Sequence, residues 1–353
     1  MPTDVKADST ERTDDGRQGA SSAAIEHKAS ERRRTSPAAL QSATALSLWL
    51  AYPIIVVVLP DADLLRRAST TPVLVLASTW LITLLGWVLI ARTRPASSSA
   101  RSLAHFLPWI NAAGAWFIVW QLTTSKLGLL TPPYFAAPEV LIASFVGDWR
   151  LLLSCLGASA LLFVIGYSVG SLLGFFTGLL MGWSRRADYW LHPLLQTIGP
   201  VPAASLLPLA LLLLPTTYAS AAFIVGFGAW FPMATMTRAG VRSVRRDYID
   251  MARTLGADEL FLIRRVAVPS ALPDMLTGLF TGLGTSLAAL MTAELTGVDK
   301  GLAWYINWVK GWADYPRMYV GLIILVAFCR TLMVLLFKIR SSLLAWQQNL
   351  VRW

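Results

Sequence analysis

Eight apolar runs, each of roughly the 20 residues a helix needs to cross a bilayer, limit what this 353-residue chain can fold into. They fall at 43–59, 72–91, 103–123, 151–182, 189–214, 218–237, 275–296 and 317–337. A segment in hydrocarbon must satisfy its backbone donors and acceptors internally, and a helix does so within one run. The charge content agrees: 55% of the residues are hydrophobic and only 14% charged, too few to coat a soluble body of this size. The expected fold is therefore all-α, a polytopic membrane helix bundle of about eight transmembrane helices. The fourth run exceeds one crossing, so it is expected to tilt or to begin outside the membrane.

The formal charge of +10 does not read as a nucleic-acid surface, because the bases sit in short clusters between apolar runs. With the N-terminal tail inside, alternation puts Arg92, Arg94, Arg101, Arg185, Arg186 and the cluster from Arg238 to Arg265 on one side, together with Lys338 and Arg340. The opposite loops carry fewer bases mixed with Asp and Glu, as the positive-inside rule expects. Both termini are thus expected in the cytosol. Residues 1–38, polar and without apolar periodicity, are expected to be a disordered tail rather than a cleavable signal peptide. Cys155 and Cys329 lie inside apolar runs and read as small buried hydrophobes, with no disulfide framework or metal site implied.

The longest loop on the basic side, 238–274, is the one segment too apolar to be a connector. Asp247 is placed to cap a short helix over 248–255, and Gly256 supplies a left-handed end. Asp258 and Glu259 favour a second helix, which Pro269 is expected to stop. Tyr248, Met251, Leu255, Phe261 and Leu262 would then offer apolar contacts, either to another protein or to the bundle's own end.

This loop resembles the cytoplasmic pattern of bacterial ABC importer permeases: Glu-Ala-Ala, three residues, Gly, nine residues, Ile-x-Leu-Pro. Asp250, Met251, Ala252, Gly256, Val266, Val268 and Pro269 stand at those positions, with Met251 the one non-conservative departure. The likeness extends over roughly 103–346, through TPPYFAAPEVLIASF, GFFTGLLMGWSRR, LHPLLQTIGPVPAASLLPLALL and TAELTGVDKGLAWYI, and is nearest to the nitrate, sulfonate, taurine and bicarbonate branch. The resemblance implies a six-helix permease core over 103–346, an added helix pair over 39–102 and a short cytosolic end over 347–353. It also implies a non-catalytic subunit of the bacterial inner membrane that carries a small, anionic solute. Its coupling segment, with Asp250, Met251, Ala252, Leu255, Gly256, Ala257, Phe261 and Pro269, would dock on a cytosolic ATPase dimer. ATP and Mg would be bound by that partner, since the sequence contains no G-x-x-x-x-G-K-[ST] loop. The further implied partners are a solute-binding protein, a second permease copy, identical or not, and membrane lipid. The alternatives are a permease for a vitamin or pyrimidine precursor, or a membrane scaffold that recruits a cytosolic protein. The stretch LLLLPTT over 211–217 departs from the family's usual text and leaves the outer cavity open to another shape.

Candidate pathway residues come from the breaks and charges inside runs. Pro200 and Pro202, with Gly199 and Pro208, read either as a kink that aids packing or as a broken helix lining a conduit, with Ser205 exposed to it. Glu294 reads as a structural ion pair or a pathway group. Arg330 snorkels, pairs within a dimer, or attracts an anion. His27, His105 and His192 lie far apart, and His192 reads as a satisfied residue near a helix start. Trp304, Trp308 and Trp312, spaced by four, predict one face of a helix at the outer surface, anchoring in the membrane belt or touching a binding protein.

Overall fold

The computed structural model describes residues 41–61, 69–93, 98–130 and 132–344. The expected tails 1–38 and 347–353 lie outside the described residues. All regular structure among the described residues is helical. The helices are α1 (Gln41–Val58), α2 (Thr71–Thr93), α3 (Ser98–Gln121), α4 (Pro138–Trp183), α5 (Arg185–Ile198), α6 (Leu207–Leu213), α7 (Thr217–Arg242), α8 (Arg246–Thr254), α9 (Glu259–Phe261), α10 (Val268–Thr296), α11 (Leu302–Gly311) and α12 (Tyr315–Leu343). The chain divides into two compact units, Met1–Ala143 and Ser144–Trp353.

Among the described residues, six helical stretches are long and apolar enough to cross a membrane: α1, α2, α4, the continuous Glu259–Thr296 stretch, α7 and α12. The pair Arg185–Ile198 and Ala203–Leu213 makes a seventh if a bend of 91° is counted within one span. The run expected at 103–123 is α3. It has 24 residues, but Pro108, Asn111 and Gln121 dilute its apolar character. Helix α4 has 46 residues, about 69 Å at 1.5 Å per residue, and its first 13 precede the expected start at residue 151.

In the first unit, Trp49, Leu84, Val88, Leu107 and Ile110 form an apolar seam among α1, α2 and α3. A π-helical turn, Leu122–Lys126, ends α3. It buries Lys126, whose Nζ donates to the carbonyls of Val56 (2.8 Å) and Leu59 (2.6 Å) and pairs with Asp61 (2.9 Å). The ammonium thus satisfies carbonyls at the C-terminal end of α1, where a helix leaves acceptors unpaired and favours a cation.

The second unit is built on close backbone approach. Gly166, Gly170, Gly174, Gly178 and Gly182 recur every four residues along α4, and each leaves room for α7. At Gly170 a Cβ would overlap the backbone of Gly226, so only glycine permits that crossing. Helix α10 lies against α7 by the same means: Gly228 faces the backbone of Ser286, and Gly282 faces Ala229. Two hydroxyls lock this pair across the contact. Thr285 Oγ1 donates to Gly228 O (2.6 Å) and Ser286 Oγ to Val225 O (3.0 Å).

Candidate functional site

A cavity of about 530 Å³ opens where the chain breaks between α5 and α6. Helix α5 ends at Ile198, and Pro202 starts a short 3-10 turn, Ala203–Leu206, that leads into α6. Prolines supply no N–H, so the bend leaves fewer orphaned donors than an ordinary break would. Gly199 is required by close approach, since a Cβ there would enter the ring of Phe231 on α7. The cavity wall comes from this break, from α7 (Phe227, Phe231, Thr235) and from α10 (Thr281, Thr285, Thr292). Among the described residues, no ionisable side chain lines it. The threonine hydroxyls donate to helix carbonyls, as Thr281 does to Thr277 (3.0 Å) and Thr292 to Ala288 (3.2 Å). They therefore turn oxygen lone pairs, rather than donors, toward the space.

Of the pathway candidates, Pro200 and Pro202 line this cavity, while Ser205, Glu294 and Arg330 do not. Ser205 is exposed just beyond the break, and Arg330 is exposed on α12. Glu294 is fully buried at the end of α10. Where an ion pair was one expectation, an uncharged hydroxyl and an amide hold its carboxylate. Ser159 of α4 donates to one oxygen, and the Ala303 amide to the other at 2.8 Å. Ser159 Oγ in turn accepts from the Leu302 amide at 2.8 Å. A carboxylate is thus seated at the N-terminus of α11, where helix amides and the dipole favour negative charge. Gly301 is close enough that any Cβ would strike this carboxylate.

Helix α11 carries Trp304 and Trp308 stacked at 5.9 Å with 2° between the rings, and Trp312 follows it, 76% exposed. Tyr305 is buried on the other face and donates to Asp148 at 2.8 Å. Burial, then the bond to that carboxylate, push its phenol well above the usual tyrosine range.

The segment 238–274 forms the expected elbow with three differences. Helix α8 starts two residues earlier than expected: Arg245 is its N-cap residue, and Asp247, inside the first turn, pairs with Arg245 at 2.8 Å. Gly256 has φ +85°, the left-handed position. Asp258 caps the next helix by accepting from the Phe261 amide (3.0 Å), and Arg253 bridges the elbow to Glu259 (2.8 Å). Pro269, however, does not stop that helix. A π-helical turn, Leu262–Ala267, widens the coil ahead of it, and Pro269 falls in the first turn of α10, where a missing N–H is tolerated. Leu262, expected among the offered apolar contacts, is fully buried instead. Tyr248, Met251, Leu255 and Phe261 are exposed, Leu255 at 84%, and Leu260 joins them. Asp250, Gly256 and Pro269 are exposed as well, while Ala252 and Ala257 are half-buried.

One polar cluster escaped the sequence reading. Asp188, in the first turn of α5, accepts from Arg238 Nε (2.6 Å) and Nη2 (3.3 Å) and pairs with Arg242 Nη1 (3.0 Å). An acid one residue before an apolar run reads only as a favourable helix start. The i, i+4 spacing of the two arginines on α7 was the available signal. His192, one turn further along α5, has a buried Nδ1 without a hydrogen-bond partner, not the satisfied state expected.

Residues 166–345 match the family described as the binding-protein-dependent transport system inner membrane component, just over half of the chain. The chain belongs to that family. Among curated relatives, a permease assigned provisionally to aliphatic sulfonates in Escherichia coli is 30% identical over 175 residues, covering 46% of this chain and 65% of that protein. The formylaminopyrimidine transport permease of Halalkalibacterium halodurans is 27% identical over 157 residues, covering 44% of this chain and 62% of that protein. A bicarbonate transport system permease of Synechococcus elongatus is 30% identical over 107 residues, 30% of this chain and 38% of the relative. The chain thus spans less than two thirds of the length of these relatives. The likeness to the sulfonate and bicarbonate branch expected from the sequence is borne out. The recurring family members are ABC permease subunits.

Proposed function

We propose that this chain is the membrane subunit of an ATP-driven importer, forming the path for a small solute and coupling it to a separate ATPase. The observation that carries this reading is the elbow at Gly256, which holds Tyr248, Met251, Leu255, Leu260 and Phe261 exposed on two short helices. Exposed apolar side chains on an ordered, charged segment suit a protein partner better than water. In this reading Asp250, Met251, Ala252, Leu255, Gly256, Ala257, Phe261 and Pro269 meet the ATPase. ATP and Mg reside on that dimer. The basic loops and both termini face the cytosol across the bacterial inner membrane. A solute-binding protein serves the outer face, and a second permease copy pairs with this one among the lipids.

For the solute, the sulfonate and bicarbonate relatives favour a small anion. The uncharged lining of the cavity favours a second reading, an uncharged heterocycle of the kind named for the formylaminopyrimidine relative. An anion in such a space would meet no counter-charge among the described lining residues, and burying an uncompensated charge is costly.

The coupling reading is tested with Gly256→Pro. Proline requires φ near −65° and removes the Gly256 amide that now donates to Arg253 O at 2.9 Å. The variant should insert and purify, yet lose solute uptake and solute-stimulated ATP hydrolysis. Normal uptake by this variant would sink the reading. Equilibrium binding of sulfonate, bicarbonate and formylaminopyrimidine to the cognate binding protein decides between the two solutes.

A further inference from the structure

Helix α5 lies antiparallel along the last turns of α7, and its contacts run in order. Asp188 meets Arg238, Leu195 packs with Ala234, and Gly199 abuts Phe231. The first contact is an ion bridge and the last is the cavity wall. Eleven residues separate Asp188 from Gly199, about 16 Å of helix. At the other end, Arg242 is the final residue of α7, and α8 begins at Arg246. The bridge therefore stands between the exposed elbow and the broken helix that walls the cavity. Apolar contacts such as Leu195 with Ala234 are non-directional and let helices slide. A forked, charge-assisted contact fixes register. Asp188 and Arg238 are both mostly covered, with side chains 15% and 19% exposed, which limits screening by water.

We infer that Asp188 is a positioning residue that fixes α5 on α7, so that displacement of α8 is delivered to the cavity wall at Gly199 and Pro200. The inference rests on the importer reading above and adds to it the route by which the elbow reaches the path. Without the bridge, α7 would still move with α8, but α5 would slip along it.

The test uses the whole transporter, purified with its ATPase, and needs no solute. Ala288, an exposed residue of the cavity lining, is replaced (Ala288→Cys) in a background lacking Cys155 and Cys329, and its reaction rate with a charged thiosulfonate is followed. Trapping with ATP and vanadate should change that rate. Adding Asp188→Asn should reduce the nucleotide-dependent change by about tenfold while ATP hydrolysis continues, and Asp188→Glu should restore it. If Asp188→Asn does not assemble, Arg238→Lys, which keeps the charge but loses the fork, should give a partial loss. An unchanged response in the assembled variants overturns the inference and leaves the importer reading standing. If the Ala288→Cys protein with Asp188 intact shows no response to ATP, the importer reading fails, and the inference fails with it.

Discussion

At Gly256 the backbone sits at φ +85°, and no neighbouring atom lies within 4 Å of where a Cβ would stand. Substitution there meets backbone strain alone. Gly256→Ala should cost about 1–2 kcal/mol, the usual penalty for the left-handed region, and Gly256→Asn distinctly less. Chemical unfolding of the detergent-purified protein would measure both, and equal costs would refute the strain account. This residue was legible in advance because a left-handed helix end has one common chemical solution. Pro269 was not. A proline stops a helix unless the preceding turn widens, and nothing local in the sequence says that Leu262–Ala267 will do so. Asp188 and Glu294 show the same limit: their partners Arg238 and Ser159 come from helices distant in the chain, and only the Ala303 amide, nine residues from Glu294, is local.

Among the elements, six of the eight expected spans were readable from their apolar length, but their pairing was not. Five glycines at four-residue spacing on α4 are visible in the sequence, while the identity of the helix they admit needs the fold. Gly170→Ala should force α4 from α7 and destabilise the protein by roughly 1–3 kcal/mol, as overpacking does. Gly157, on the same helix with nothing within 4 Å, is the internal control. Gly157→Ala should be neutral or stabilising by up to about 1 kcal/mol. Thermal unfolding of the two variants side by side would reveal the contrast, and similar melting shifts would remove the close-approach argument. The 91° bend between Arg185–Ile198 and Ala203–Leu213 was beyond pattern reading. Gly199, Pro200 and Pro202 permit a kink or a corner, and the choice rests on Phe231 and the rest of α7.

For the molecule as a whole, helices α1 and α2 carry a liability if removed. Lys126 is buried, and its ammonium is satisfied by Val56, Leu59 and Asp61. A chain lacking residues 41–93 would strand that charge, a loss of about 3–5 kcal/mol for a buried pair broken from one side. Such a truncation should give little monodisperse protein on size-exclusion chromatography, and Lys126→Met should recover part of it. No recovery would mean that the ammonium is not what the first helices protect. The uncharged cavity has its own effect at this scale. Its described lining is apolar apart from the threonine oxygens and carries no charge, so a small ion entering it would give up hydration without a counter-charge to replace it. In the proposed importer, the side chains that deny a solute its counter-charge would also oppose the leak of small ions, so that a membrane storing a voltage could host such a path without discharging through it.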